Sequence, residues 1–377
     1  KTATANRMTH RIKKLSENNS PLVVAGCMPK TQANEIKKLN PNASMMGPDS
    51  IDKIADIVDS ALQGNTVIEV TSSNKPKILL PKVRINPVID IVEIGTGCLS
   101  SCTFCQVKIA KGTLVSYPPD AIVEQITDST NTSCNEIWLT STDNGCYGMD
   151  MMMDLSDLLK MIVKIPNSFF IRVGMMNPMH TKKKFHKLFN IFSHDKIYKF
   201  LHIPVQSGNN RVLKSMLRGH SREDYILMCS SFREKFPLSS IATDIIVGYP
   251  TESDEEFRDT VELIKSTQPD VVNLSKYGAR PGIKAIEMEQ VPNSIINARS
   301  KSLTSIIKEI SLERNKKWLD WTGNCLVNEN GKIDGTMIGR NFAYRPIVLK
   351  NSDVVLGNHY NVKIVEAHST YLVGEIL

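Results

Sequence analysis

Six apolar, β-rich runs recur along the middle of the chain, at residues 88–94, 136–140, 168–173, 199–203, 239–247 and 271–275, and a helical pattern follows each. Alternation of this kind calls for parallel strands, because a strand followed by a helix re-enters the sheet in the same direction through a crossover. Six units are too few to close an eight-fold barrel. Residues able to do chemistry cluster just after the strand ends, where barrels keep their active sites. The expectation is an α/β protein whose central domain is an open, partial (β/α)6 barrel. A doubly wound dinucleotide-binding sheet is the weaker alternative, since no G-x-G-x-x-G follows the first strand.

Directly after the first run comes Gly97-Cys98-Leu99-Ser100-Ser101-Cys102-Thr103-Phe104-Cys105, which spaces three thiols as C-x3-C-x2-C. Three thiolates on one tight loop suit three corners of a cubane iron–sulfur cluster, because soft sulfur matches iron and each thiolate offsets positive charge. The fourth iron is then open to bind and reduce a ligand. Cys102 and Cys105 alone would also fit half a zinc site or a redox pair. However, the next cysteine, Cys134, has no paired His or Cys, and a redox pair leaves Cys98 unexplained. Eight unevenly spaced cysteines do not make a disulfide framework, so a reducing, cytoplasmic compartment is expected. No apolar run reaches the roughly 18 residues of a membrane span, and no secretion signal is visible. The formal charge of +7 is compatible with a nucleic-acid partner without demanding one. Lys182-Lys183-Lys184 with Lys187 reads first as a solvated helix face.

Ahead of the barrel, residues 6–17 carry Met8, Ile12 and Leu15 at helical spacing. Residues 22–25 read as a buried strand delivering Gly26-Cys27 to a loop, and Met45-Met46 as a short strand. Ile51, Ile54, Ala55, Val58 and Leu62 form a helical stripe behind Ser50 as N-cap. Residues 71–77 break all periodicity and read as a linker. A helical segment at 294–318 closes the barrel domain, after which short strands are expected at 325–327, 345–349, 354–356, 360–365 and 371–376. Turn signals stand at Asn330-Gly331 and Asp334-Gly335. This reads as a small antiparallel β-barrel, of the kind that binds RNA on one face or serves only as a cap. The expected layout is a small α/β domain at 1–70, a linker at 71–85, the barrel domain at 86–317 and the β-barrel at 318–377.

The thiol loop on a six-unit domain resembles the radical S-adenosylmethionine superfamily. Further segments narrow the match: Trp138-Leu139-Thr140-Ser141-Thr142-Asp143-Asn144-Gly145, Gly174-Met175-Met176-Asn177-Pro178, His202-Ile203-Pro204-Val205-Gln206-Ser207-Gly208, Thr243-Asp244-Ile245-Ile246-Val247-Gly248-Tyr249-Pro250 and Arg280-Pro281-Gly282. Together they resemble the tRNA methylthiotransferases over essentially the whole chain. The W-L-T-S-x-D segment and Ser116-Tyr117-Pro118 resemble the archaeal and eukaryotic threonylcarbamoyladenosine branch. The resemblance implies insertion of a methylthio group at C2 of N6-threonylcarbamoyladenosine at position 37, next to the anticodon. A [4Fe–4S] cluster on Cys98, Cys102 and Cys105 would cleave S-adenosylmethionine to the radical that attacks C2, and a second S-adenosylmethionine would supply the methyl. The implied partners are tRNA, an external electron donor and an unidentified sulfur donor, with the protein working as a monomer away from membranes.

The resemblance also implies a first domain whose three cysteines hold a second [4Fe–4S] cluster, and a C-terminal TRAM barrel that contacts tRNA. Only Cys27, in Ala25-Gly26-Cys27-Met28-Pro29, matches one of those cysteines. Lys1-Thr2 and Asn6-Arg7-Met8 resemble the stretch after the second, so two of the three ligands are expected to lie ahead of this chain. Phe104 is placed to border the adenine of the cofactor. Asp143, Asn177 and Gln206 follow strands at the open face and are candidate polar contacts to cofactor or substrate. Arg218 either pairs with the cofactor carboxylate or sits on a helix surface. Arg340, Tyr344 and Arg345 combine charge with a stacking ring and are the candidate RNA contacts. Cys134, Cys146, Cys229 and Cys325 are not expected to be ligands. Two alternatives stay open: a non-catalytic RNA-binding protein on the same fold, and a radical methylthiotransferase acting on a ribosomal protein.

Overall fold

A computed structural model describes residues 2–18, 20–73, 75–350 and 353–377. Lys1, part of the N-terminal resemblance, and Asn74, in the expected linker, lie outside the described residues.

The N-terminal unit is a parallel sheet of β1 (Val23–Ala25), β2 (Ser44–Met46) and β3 (Ile68–Glu69), in that order, with helices Thr2–Ser16, Ala33–Leu39 and Ile54–Leu62 around it. Its small core gathers Ile12, Val24, Ile36, Ala43 and Met45. Three expectations fail here. The stripe assigned to the third helix faces water, with Val58 and Leu62 exposed, while Ile57 and Ala61 are the buried pair. Apolar residues stand on both sides of this helix, so the helical period fits either face. Ser50 precedes a short 3-10 turn and makes no side-chain cap bond. Cys27, read as a loop residue, begins the short helix Cys27–Thr31.

All six strands expected in the middle of the chain are present: β4 (Ile89–Glu93), β7 (Glu136–Thr140), β8 (Phe170–Val173), β9 (Phe200–His202), β10 (Ser240–Val247) and β11 (Val271–Lys276). Strands β4, β7 and β8 form one parallel sheet, and β9, β10 and β11 another. Backbone bonds from Ile171 N to Lys196 O (2.7 Å) and Met176 N to His202 O (2.9 Å) link the two sheets. A hairpin that the pattern did not foretell, β5 (Gly95–Thr96) with β6 (Val115–Ser116), brackets the thiol loop. Alternation decides what each strand face does. Ile137, Leu139, Ile171, Val173, Leu201, Ile203, Ile241, Ile245 and Val247 point outward and are buried, each burial stabilising by about 1.5–3 kcal/mol. Over them lie helices that start where sequence chemistry permits. Asp154 accepts from the N–H groups of Ser156 and Asp157, and Ser221 and Ser253 each close a capping box. The lysine cluster pairs with Asp224, Asp154 and Asp157, as a solvated face should.

After the long helix Asn293–Lys316, five strands close a barrel: β12 (Thr322–Asn330), β13 (Met337–Arg340), β14 (Pro346–Leu349), β15 (His359–Ala367) and β16 (Leu372–Ile376). The barrel differs from expectation in three ways. It is antiparallel except at one seam, where β14 and β16 run parallel. Strand β13 was not foreseen, and 354–356 is a loop whose Val354 plugs the barrel core.

The barrel docks on the sheets through buried polar contacts. Glu136, at the start of β7, accepts from Asn328 Nδ2 (2.7 Å) and Tyr198 OH (3.0 Å). Asp270, just before β11, meets Arg314 of the long helix (2.7 Å) and Arg345 beside β14. Among the described residues no helix is long and apolar enough to cross a membrane.

Candidate active site

The thiol loop is held from below and from both sides. Gly97 has φ +72°, and a Cβ there would fall 1.9 Å from the Thr113 carbonyl oxygen, so only glycine lets the chain leave β5 at this angle. Thr103 donates through its N–H to Met216 O (3.2 Å), and its hydroxyl bonds Tyr249 OH (2.8 Å). Each sulfur receives a donor: Ser100 N on Cys98 (3.3 Å), Val107 N on Cys105 (3.4 Å) and Arg218 Nη1 on Cys102 (3.5 Å). Burial pushes the Cys98 thiol up, and the Ser100 N–H works against it. Hydrogen bonds to the ligating sulfurs are among the contacts by which a protein tunes an iron–sulfur cluster.

The thiols open into a cavity of 510 Å³, which Phe104, Asp143, Asn177, Gln206 and Arg218 also line. Every candidate cofactor residue thus reaches one space. A second cavity of 230 Å³ adjoins it, sharing Phe104, Cys105, Gln206 and Asp244 and continuing to Tyr277 and Arg280.

Within this cluster the roles divide. Gln206 has φ +79°, a conformation rare for a side-chain-bearing residue, and two backbone bonds to β10 hold it, with Asp244 O at 2.8 Å and Ile246 N at 3.0 Å. Held strain of this sort marks a residue aimed for use. Arg218 is not on a helix surface. It is buried, donates to Pro204 O (2.8 Å) as well as to Cys102, and keeps Nε unpaired. Asn177 caps helix Pro178–Thr181 and donates from Nδ2 to Ser100 Oγ (3.1 Å).

Asp143 is the exception to its expected role, since both carboxylate oxygens are taken within the protein. Oδ1 accepts from Gly145 N and Asn177 N, each at 2.9 Å, and Oδ2 meets His180 Nδ1 at 2.8 Å. It therefore positions Asn177. Cys146 lies close to Asp143 and His180, donates to the Asp143 carbonyl (3.1 Å), and has its thiol pushed up by burial. This is a closed hydrogen-bond network. Cys27 is exposed, and the short helix it begins packs against helix Val107–Lys111, which follows the thiol loop.

The proposed RNA contacts are placed otherwise than expected. Arg345 is buried against Asp270 and Asn315 Oδ1 (2.9 Å). Arg340 pairs with Glu329 (3.1 Å) and stacks over Tyr344 (4.7 Å), whose ring packs on Tyr198 and Phe200. All three knit the barrel to the sheets instead of facing solvent. Sequence reasoning passed over Lys108, Met175 and Asp244 as site residues, although all line the main cavity. Asp244 had a signal: it breaks an apolar strand at an inward-facing position. Lys108 had none, because one lysine on a short helix is ordinary.

The pattern of residues 92–264 matches the radical SAM superfamily. A protein of Archaeoglobus fulgidus named probable threonylcarbamoyladenosine tRNA methylthiotransferase is 39% identical over 376 residues, covering 99% of this chain and 87% of that one. The chain belongs to the threonylcarbamoyladenosine tRNA methylthiotransferases. Relatives of that name in Drosophila melanogaster and Homo sapiens are 36% and 34% identical, covering 96% and 97% of this chain and 66% and 64% of theirs. Among solved structures, the cobalamin-dependent S-adenosylmethionine radical enzyme OxsB superposes with a TM-score of 0.51 at 13% identity, covering 82% of this chain and 46% of that one. At that identity the likeness speaks for the fold alone, and this methylthiotransferase family member shares it.

Proposed function

We infer that the chain is a tRNA methylthiotransferase that replaces the C2 hydrogen of N6-threonylcarbamoyladenosine, at position 37, with a methylthio group. One observation carries the reading: Cys98, Cys102 and Cys105 line the same cavity as Asn177, Gln206 and Arg218, which arrive from separate strand ends. An iron–sulfur cluster and S-adenosylmethionine supply the electron and the radical for a C–H bond that no side chain can activate. The protein's share is placement. The three thiols are the cluster ligands. Arg218, buried with an unpaired Nε, is the partner for the cofactor carboxylate, while Phe104 borders the adenine and Gln206 offers it a polar contact. Asp143 and Asn177 set the loop that faces them, and the buried walls keep water out.

The remaining assignments belong to the same proposal. The layout is an α/β domain at 1–70, a linker at 71–85, a partial (β/α)6 barrel at 86–317 and a TRAM-like barrel at 318–377. Cys27 is a ligand of a second cluster holding the sulfur to be transferred; the packing of its helix against Val107–Lys111 supports that role. tRNA is the substrate-bearing partner, and an external donor supplies electrons. The places of Arg340 and Tyr344, half-buried against the sheets, and of Arg345, buried, support docking of the TRAM-like barrel more than RNA contact.

Anaerobic reconstitution tests the site. Against a Cys98→Ala/Cys102→Ala/Cys105→Ala variant, the wild type binds about four more irons per chain and cleaves S-adenosylmethionine to 5′-deoxyadenosine under reduction. Iron unchanged by the triple substitution contradicts the reading and leaves an RNA-binding scaffold.

A further inference from the structure

The substrate proposed above carries one feature that unmodified adenosine lacks. Its threonine is joined through nitrogen, so the α-carboxylate stays free and is ionised at neutral pH. A carboxylate brought into a half-enclosed cavity needs a cation, or its desolvation opposes binding.

Four cations line the main cavity: Lys108, Lys111, Arg218 and Lys284. Three are accounted for. Lys111 pairs with Glu93 at 3.5 Å. Arg218 is fully buried against Cys102 and Pro204 and is matched to the cofactor's own carboxylate. Lys284 is exposed at the rim, where water screens an ion pair down to little. Lys108 is half-buried, and among the described residues its ammonium has neither an ion pair nor a hydrogen bond. It stands on helix Val107–Lys111, between the thiol loop and the helix that begins at Cys27. That is where a base must lie if one side meets the radical and the other the sulfur.

We propose that Lys108 receives the carboxylate of the threonylcarbamoyl group and is the residue by which this site selects an acid-bearing adenosine. The proposal rests on the substrate reading above. Of the two carboxylates the cavity must take, the cofactor's then falls to Arg218 and the substrate's to Lys108.

The test measures binding of two anticodon stem-loops to the reconstituted protein, one with N6-threonylcarbamoyladenosine and one with plain adenosine at the same position. Lys108→Gln is expected to weaken the first about tenfold, the scale of one charge-assisted contact, and to leave the second unchanged. Lys108→Arg, which keeps the charge, restores most of the loss, and S-adenosylmethionine affinity stays at the wild-type value in both. Equal weakening of the two RNAs would make Lys108 a phosphate contact and overturn the proposal. So would a loss confined to S-adenosylmethionine, or no loss at all. Wild-type protein that binds both stem-loops alike, and methylthiolates neither, overturns the substrate reading itself and the proposal with it.

Discussion

His220 is buried beside the cavity's arginine, with Nδ1 donating to Arg218 O (3.1 Å) and Nε2 without a partner. Burial first, and the Arg218 charge second, pull its pKa down to about 4. The hydrogen bond to Arg218 O and the Asp224 charge pull the other way, and Lys182 adds to the depression. The unfolded chain therefore takes up a proton at this site between the ordinary histidine value and about pH 4, while the folded chain does not. Stability attributable to His220 is whole above about pH 6.5 and falls as the pH drops, by about 2 kcal/mol at pH 5. Urea unfolding at pH 7 and pH 5 checks this: His220→Gln should lose less stability than the wild type between the two, and an identical loss would refute it. At this scale the sequence was a partial guide. Cys98, Cys102 and Cys105 were legible because their spacing is itself the chemistry. Asp143 was read as a contact because sequence shows a carboxylate at a strand end but not that three groups of its own fold occupy both oxygens. Arg345 was misplaced for a like reason, since its partner Asp270 lies far away along the chain.

Among elements, the six parallel strands were readable because both faces of a buried strand repeat every second residue and their helices carry clear caps. The small N-terminal helix was read on the wrong face because apolar residues stand on both of its sides. Strand β13 was missed because Gly339 and Arg340 interrupt a short apolar alternation, and 354–356 was taken for a strand because apolar runs beside glycine look alike in strands and loop plugs. Asp270 ties several elements together, with Arg233 from helix Arg222–Lys235, Arg314 from the long helix and Arg345 from the barrel around one carboxylate. Burial alone raises this carboxyl, but the Arg345 and Arg314 guanidiniums outweigh it and hold it below the usual value. Asp270→Asn keeps the shape and leaves buried guanidiniums uncompensated, so stability at pH 7 should fall by about 3–5 kcal/mol. The Asp270 contribution is complete above the ordinary carboxylate range and lost as pH falls through the lower folded value. Chemical denaturation should thus show an acid-dependent step in the wild type that the variant lacks. Equal stability of the two at pH 7 would show that the cluster does not hold these elements together.

At the scale of the molecule, the strand ends of one domain build the cavity, the N-terminal unit brings Cys27 alongside it, and the β-barrel closes the opposite end through Glu136 and Asp270. The account requires that this assembly act on one nucleoside of tRNA. Nucleoside mass analysis of tRNA bearing N6-threonylcarbamoyladenosine, after anaerobic incubation with the reconstituted full-length protein carrying both clusters, S-adenosylmethionine, sulfide and a reductant, measures that directly. The prediction is conversion to the 2-methylthio derivative, absent with the Cys98→Ala/Cys102→Ala/Cys105→Ala variant and absent on tRNA carrying plain adenosine at the same position. Unchanged N6-threonylcarbamoyladenosine from iron-replete protein that cleaves S-adenosylmethionine would contradict it.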